Sequence, residues 1–210
     1  ILGEGGVVPA PEGYLGAARR LTERAGALLV LDEVQTGIGR TGSWFAYQRS
    51  GITPDVVTLA KGLGGGLPIG ACIGIGEAAT LLRPGDHGTT FGANPVCCCA
   101  ALAVLRTVRD EGLLEHVATL GKELAAGIEG IDHPLVDHVR GAGLLLGIGL
   151  TAAKAPELAE LARGHGFLVN PVRPDTVRLS PPLVLTAAQA REFVDALPAI
   201  LREAGTGEHP

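Results

Sequence analysis

Two short runs of apolar residues constrain the fold of this chain more than any other feature. Residues 28–31 read LLVL and residues 56–60 read VVTLA, so neither run shows a regular alternation of apolar and polar residues. Strands that are apolar throughout are typical of parallel sheets covered by helices on both faces, whereas half-exposed strands alternate. The two runs therefore predict an α/β fold. Asp32 follows the first run and Lys61 follows the second.

Helical patterns surround these strands. Apolar residues at helical spacing predict a helix over residues 11–24, which leads into the first strand, and a helix of small residues over 95–108. A third strand is expected at 71–75, after a glycine-rich turn. Ligands of open α/β sheets bind beyond the carboxyl ends of the strands. We expect Asp32 and Lys61 at that edge.

The pattern changes after about residue 111. Shorter segments follow there, with helices at 113–128, 156–163 and 186–201 and strands at 143–150, 167–169 and 177–179. This arrangement predicts a second, smaller α+β domain. We therefore expect residues 1–110 to form part of a large domain and residues 111–210 to form a small one.

Composition argues against several classes of function. The 46% hydrophobic content suits a packed core. The net charge is -5 and no run of basic residues is longer than Arg19-Arg20, which argues against a nucleic-acid-binding surface. No apolar stretch approaches the roughly 20 residues of a membrane span. Three of the four cysteines are adjacent at 97–99, which suits no disulfide framework and favours a reducing, cytoplasmic setting. Small-molecule chemistry is the expected activity.

The start of the chain also supports a prediction. The sequence contains no methionine and begins at Ile1 in a glycine-rich segment. Because a newly translated chain begins with methionine unless it is processed, we expect this chain to be a piece of a longer protein.

Lys61 and Asp32 each have an ordinary interpretation when judged alone. A lysine after a strand is usually a surface residue, and an aspartate there commonly caps the next turn. Glycines at 62 and 64–66, however, leave room for a bulky ligand beside the Lys61 amine. A lysine that a pocket shields from water can form a covalent bond with a carbonyl compound. An amine and a carboxylate at one sheet edge therefore suggest a cofactor site.

Three weaker patterns do not indicate binding sites. Residues 62–67 (GLGGGL) lack the last glycine of a dinucleotide-binding fingerprint. His133 and His138 have no cysteine or third ligand near them in the sequence, so zinc is not expected. We interpret the cysteines at 97–99 as small apolar residues packed in a helix.

Longer motifs resemble one known family. They are LVLDEVQTGIGRTG at 29–42, TPD at 53–55, LAKG at 59–62, HGTTFGANP at 87–95, VRGAG at 139–143 and VRLSPPL at 177–183. In this order they resemble the class III pyridoxal-phosphate-dependent aminotransferases, and the likeness runs from Ile1 to about Leu201. The resemblance implies the α/β fold type I of pyridoxal-phosphate-dependent transferases. This chain would supply the C-terminal part of the large mixed-sheet domain, followed by the small α+β domain.

The same resemblance implies roles for individual residues at the cofactor. Lys61 would hold pyridoxal 5'-phosphate through a covalent bond and later move a proton of the substrate. Asp32 would keep the pyridine nitrogen protonated, so that the ring accepts electrons. Val34 would pack on one face of the ring, and Gln35 would hydrogen-bond its phenolic oxygen.

Further roles concern the phosphate and the substrate. Thr90 would reach the cofactor phosphate of a neighbouring subunit, which implies a homodimer with shared active sites, and Thr89 is a lesser candidate. Arg178 would bind the substrate α-carboxylate with its planar guanidinium. Arg140 would hold the turn before the strand at 143–150.

Some parts of the family pattern are absent from this chain or differ in it. The resemblance places the acidic neighbour of Arg178, a glycine-rich phosphate turn and a ring-stacking aromatic residue upstream of Ile1. Ala93 stands where relatives usually have glycine, so a positive φ at this residue would be strained.

The reaction implied by the resemblance is transamination of N-acetylornithine with 2-oxoglutarate, which gives N-acetylglutamate 5-semialdehyde and glutamate in arginine biosynthesis. The expected partners are the small-molecule amino donor and 2-oxoglutarate, without nucleic acid or membrane. Ornithine, succinylornithine and 4-aminobutyrate are alternative amino donors. A different interpretation is a truncated, non-catalytic chain that serves as a structural or dimerising module.

Overall fold

A computed structural model describes residues 1–206 of the chain, which divide into two compact units. The first unit is Ala10–Leu114, and the second unit combines Ile1–Pro9 with the chain from Glu115 onward. The division into domains of residues 1–110 and 111–210 stays a prediction. None of the helices in the described part of the chain is long and apolar enough to cross a bilayer.

The first unit contains a three-stranded mixed sheet. Its strands are β1 (Val30–Asp32), β2 (Val56–Leu59) and β3 (Ala71–Gly74), in the order β1-β2-β3. β1 and β2 run parallel, whereas β3 is antiparallel to β2. The apolar pattern, which favoured a parallel sheet, is therefore right for the first pair and wrong for β3. The mixed sheet agrees with the fold class that the family resemblance implies.

Two helices of the first unit have clear end signals. The helix α1 (Tyr14–Ala25) ends at Gly26, whose left-handed backbone (φ 61°) lets its amide reach the carbonyl of Glu23. The helix α2 (Pro95–Asp110) begins after Asn94, whose side chain accepts a hydrogen bond from the Cys97 amide at 3.0 Å. Both helices lie close to their predicted ranges. A small core supports the sheet, with buried Ile38, Val57, Leu59, Leu63 and Ala101.

The second unit is built on a four-stranded antiparallel sheet. Its strands in spatial order are β4 (Val136–Ala142), β5 (Leu145–Leu150), β7 (Thr176–Leu179) and β6 (Asn170–Arg173). Every residue of β5 is buried. The sheet packs with three helices in one large core, namely α3 (Leu113–Glu129), α4 (Ala155–Gly164) and α5 (Ala187–Thr206).

Two strands of this sheet differ from the sequence-based expectation. β4 was not expected, because its polar residues, which include His138 and Arg140, obscure the strand pattern. The strand expected at 167–169 lies instead at Asn170–Arg173, while Phe167 packs against the core just before it. β6 is an edge strand with an irregular register after Pro171, which explains its weak sequence signal.

Candidate active site

Asp32 and Lys61 leave the first unit's sheet at the same edge. Asp32 is the last residue of β1 and pairs with Thr58 across the parallel strands. Lys61 comes just after Leu59, the last residue of β2. Both side chains are exposed in this chain. The sheet therefore brings the predicted amine and carboxylate to the carboxyl ends of neighbouring strands.

The backbone of Lys61 is in the left-handed region, with φ 46°. A short 3₁₀ turn, Lys61–Gly64, starts at this residue, and the Leu63 amide donates to the Ala60 carbonyl at 3.0 Å. Leu63 is buried with Val57 and Leu59, so the hydrophobic core fixes the turn. A left-handed conformation at a non-glycine residue costs of order 1–3 kcal/mol and concentrates at functional sites. The strain at Lys61 thus supports a functional role.

The segment after Asp32 forms a side-chain-stabilised turn. Oδ1 of Asp32 accepts a hydrogen bond from the Val34 amide at 2.9 Å, and the Glu33 amide donates to the Thr58 carbonyl at 2.9 Å. The first bond holds the Asp32 carboxylate against its own turn. Val34 and Gln35 follow and are half-buried.

Glu33 is a buried residue of this region that the sequence analysis did not single out. Its carboxylate accepts hydrogen bonds from the Ala46 amide at 3.0 Å, from the Tyr47 amide at 2.9 Å and from the Thr36 hydroxyl. Only 4% of Glu33 is exposed. The residue ties the segment that follows β1 to the 3₁₀ turn Ala46–Ser50. No local pattern indicates this role, because the two amides that donate to Glu33 lie 13 and 14 residues away.

Thr89 and Thr90 lie in an exposed segment of the first unit, before α2. Ala93 in the same segment has φ 56°, so the strained conformation considered in the sequence analysis is present. Asn94 then begins α2 as described above. Thr90 is thus accessible to a ligand.

Arg178 belongs to the second unit, where it lies on β7 between two acceptors. Its Nη1 donates to Oε1 of Glu4 at 2.7 Å, and its Nη2 donates to Oδ1 of Asn170 at 2.9 Å. Only 17% of the Arg178 side chain is exposed, against 71% for Glu4. The family resemblance places an acidic neighbour of Arg178 upstream of Ile1, and in this structure Glu4 forms an ion pair with Arg178. Neither Glu4 nor Asn170 was singled out from the sequence.

Arg140 belongs to the second unit. It lies within β4, before the turn to β5, and its Nε donates to the Gly6 carbonyl at 2.8 Å. Its Nη2 donates to Oγ1 of Thr176 at 3.1 Å. These bonds connect the first residues of the chain to the sheet, so the role of Arg140 in this structure is structural.

The fold of this chain is that of the class III aminotransferases. The family model for aminotransferase class III matches residues 1–201, and the chain belongs to this family. Class III aminotransferases depend on pyridoxal phosphate, which is therefore the cofactor to consider here.

Several relatives are acetylornithine aminotransferases. The chain is 64% identical over 204 residues to the enzyme of Mycobacterium tuberculosis. The aligned region covers 97% of this chain and 51% of that relative. It is 59% identical over 210 residues to that of Streptomyces coelicolor, covering 100% of this chain and 52% of the relative. The chain thus spans about half the length of the curated relatives it matches.

Solved structures give the same family. The acetylornithine aminotransferase of Elizabethkingia anophelis matches with a TM-score of 0.91 and 36% identity, over 97% of this chain and 52% of that structure. The ornithine aminotransferase of Toxoplasma gondii matches with a TM-score of 0.90 and 33% identity, over 99% of this chain and 51% of that structure.

The residues of the first unit fit pyridoxal phosphate. An amine for a covalent bond to an aldehyde and a carboxylate for a protonated ring nitrogen stand at one sheet edge, as Lys61 and Asp32. Beside them, an added Cβ on Gly62 or Gly66 would meet nothing within 4 Å, so space is open next to the lysine. The donor set and the open space suit a ring that carries an aldehyde.

Proposed function

We propose that the protein to which this chain belongs transfers the side-chain amine of N-acetylornithine to 2-oxoglutarate, giving N-acetylglutamate 5-semialdehyde and glutamate in arginine biosynthesis. The observation that carries this proposal is the identity of 51–64% to proteins named acetylornithine aminotransferase. The amino donor and 2-oxoglutarate are then its small-molecule partners.

Lys61 and Asp32 have the two main roles at the cofactor in this proposal. When bound, pyridoxal phosphate supplies an electron-accepting ring that stabilises negative charge at the substrate carbon that loses a proton. Nζ of Lys61 holds the cofactor covalently and, once released, takes and returns that proton. The carboxylate of Asp32 would pair with the ring nitrogen and keep it protonated. The common sheet edge of β1 and β2 supports both roles.

Four other residues position the cofactor and the substrate in this proposal. Val34 would pack on a ring face, and Gln35 would hydrogen-bond the phenolic oxygen. Thr90 binds the phosphate of the neighbouring subunit in a cytoplasmic homodimer, which its exposure allows. Arg178 binds the α-carboxylate of the amino donor and of 2-oxoglutarate, since a guanidinium binds a carboxylate through two parallel hydrogen bonds.

An amine and a carboxylate at one sheet edge, with strain at Lys61, favour a catalytic role over that of a structural module.

The reaction is tested by the purified intact protein with added pyridoxal phosphate and 2-oxoglutarate. Glutamate formation is measured with N-acetylornithine, N-succinylornithine, ornithine and 4-aminobutyrate as amino donors. We expect the highest kcat/KM with N-acetylornithine. A higher kcat/KM with any other of these donors would overturn the substrate assignment, and no glutamate with any of them would overturn the proposed reaction.

A further inference from the structure

Arg178 is held on its two sides by groups of different charge. Asn170 lies directly opposite it in the antiparallel pair of β6 and β7, and its amide oxygen accepts from Nη2 at 2.9 Å. Glu4, from the start of the chain, accepts from Nη1 at 2.7 Å. The neutral acceptor is therefore attached to the sheet beside the arginine, whereas the charged one belongs to a separate segment.

The two acceptors have different consequences for a bound anion. A carboxylate as close as that of Glu4 cancels part of the arginine charge and competes with a substrate carboxylate for the same N–H groups. An amide oxygen directs the planar guanidinium without cancelling its charge. The bond to Asn170 can therefore persist when a substrate carboxylate takes the place of the Glu4 carboxylate.

The backbone gives Asn170 a fixed position. The Asn170–Arg178 pair belongs to the ladder of β6 and β7, and a neighbouring ladder pair joins Pro171 to Val177, which is fully buried. Directly opposed residues have Cβ atoms about 4.5–5.5 Å apart, a distance that a short amide side chain spans. The shorter reach of Asn compared with Gln suits this spacing.

We propose that Asn170 is a positioning residue that orients the Arg178 guanidinium for the carboxylate of both substrates. This inference rests on the proposed function, in which Arg178 binds that carboxylate. Asn170 acts through Arg178, so its effect should appear in carboxylate affinity and not in the chemical step.

The test compares Asn170→Leu, Asn170→Asp and Asn170→Gln in the intact protein with pyridoxal phosphate bound. Because Asn170→Leu removes the acceptor with little change in size, we expect KM for 2-oxoglutarate and for N-acetylornithine to rise about tenfold. Asn170→Asp should raise both KM values further, since it places a second anion beside the arginine. Asn170→Gln should recover part of the affinity, and kcat should change less than twofold in all three variants.

Gln189→Leu is the matched control for the removal of an amide. Gln189 accepts from the Thr186 amide at 3.0 Å at the start of α5, so the control should lower the Tm through loss of a helix cap while leaving both KM values unchanged. Equal KM values for Asn170→Leu and the wild type would overturn the proposal. A fall in kcat with unchanged KM in Asn170→Leu would also overturn it.

Binding of glutarate, measured by calorimetry, separates this inference from the proposed reaction. Glutarate carries two carboxylates but neither an amine nor a ketone, so its affinity does not depend on turnover. We expect Asn170→Leu to weaken glutarate binding about tenfold. If the wild-type protein binds glutarate but shows no transamination, the proposed function fails while the weakening still supports a role for Asn170. Unchanged glutarate affinity in Asn170→Leu contradicts the role of Asn170 even where the transamination assay succeeds.

Discussion

Glu33 accepts a hydrogen bond from the backbone amide of Tyr47 at 2.9 Å, across 14 residues of the chain. The same carboxylate accepts from the Ala46 amide at 3.0 Å. Because Glu33 follows Asp32 directly, the bonds that hold the turn Ala46–Ser50 also restrain the segment after β1. The position of Asp32 thus depends on a buried neighbour, Glu33.

Glu33→Ala should loosen the contact between the segment after β1 and the turn Ala46–Ser50. Two half-buried amides lose their acceptor, which costs about 2 kcal/mol, so we expect the amides of Ala46 and Tyr47 to exchange with deuterium about thirtyfold faster. Hydrogen exchange of the intact protein, read by mass spectrometry on a peptide that covers both amides, measures the change. Glu12→Ala, at an exposed glutamate of the same unit, is the control. Equal exchange in both variants would show that Glu33 does not hold the turn.

The comparison of sequence and structure shows which features depend on local pattern. Helices α1 and α2 and strands β1 and β2 were predicted near their observed positions, because apolar spacing and end signals determine them locally. β4 was missed, since its polar residues do not show the alternation expected of a strand.

In the candidate site, too, some contacts follow from local sequence pattern and others do not. The placement of Asp32 and Lys61 at one sheet edge follows from strands that end at Asp32 and, just before Lys61, at Leu59. Glu4 could not be inferred as a partner of Arg178, because 174 residues separate them and only the assembled second unit brings them together. Asn170 faces Arg178 through strand register, which no local pattern specifies.

Lys61 should carry the cofactor in the intact protein. We expect borohydride reduction of the protein with bound pyridoxal phosphate to give a stable adduct on Lys61, because reduction fixes the covalent bond between the amine and the aldehyde. Peptide mapping by mass spectrometry locates the adduct. The other lysines of the chain, Lys122 and Lys154, serve as internal controls and should stay unmodified. An adduct on either of them in place of Lys61 would contradict the assignment.

Arg178→Ala should weaken binding of both carboxylate substrates. Hydrogen bonds between charged groups contribute about 1.5–3 kcal/mol, so KM for N-acetylornithine and for 2-oxoglutarate should each rise about 10- to 100-fold. Steady-state kinetics with each substrate varied in turn provide the measurement. Arg173→Ala, at an exposed arginine of β6, is the matched control and should retain wild-type KM values. If the two arginine variants behave alike, Arg178 is not a substrate ligand.

Asp55 should make folding of the first unit sensitive to acid. Its Oδ2 accepts from the Leu29 amide at 2.7 Å and from Nη1 of Arg19 at 2.8 Å. The hydrogen bond from the Leu29 amide is the main cause that lowers the pKa of Asp55, and Arg19 adds to it. A carboxylate with a lowered pKa in the folded state stabilises the fold above its unfolded pKa of about 4, and this contribution disappears as the pH falls through the folded value.

Asp55→Asn should therefore have a lower Tm than the wild type at pH 7, and the difference should narrow as the pH falls below about 4. Thermal unfolding of both proteins over this pH range measures the effect. A Tm difference that stays constant between pH 7 and pH 3 would show that ionisation of Asp55 does not contribute to stability.

Ala93→Gly should stabilise the protein, which is unusual for a change to glycine. At φ 56° the Ala93 side chain is strained by about 1–2 kcal/mol, and glycine removes this strain. Glycine also increases the entropy of the unfolded chain, which offsets about 0.4–1 kcal/mol of the gain. We expect a net increase of about 0.5–1 kcal/mol in the free energy of unfolding, measured by urea titration.

Ala103→Gly, at an exposed position within α2, is the control for the same chemical change and should destabilise by about 1 kcal/mol, because its backbone is helical. Destabilisation by both substitutions would mean that the left-handed backbone at Ala93 carries no strain.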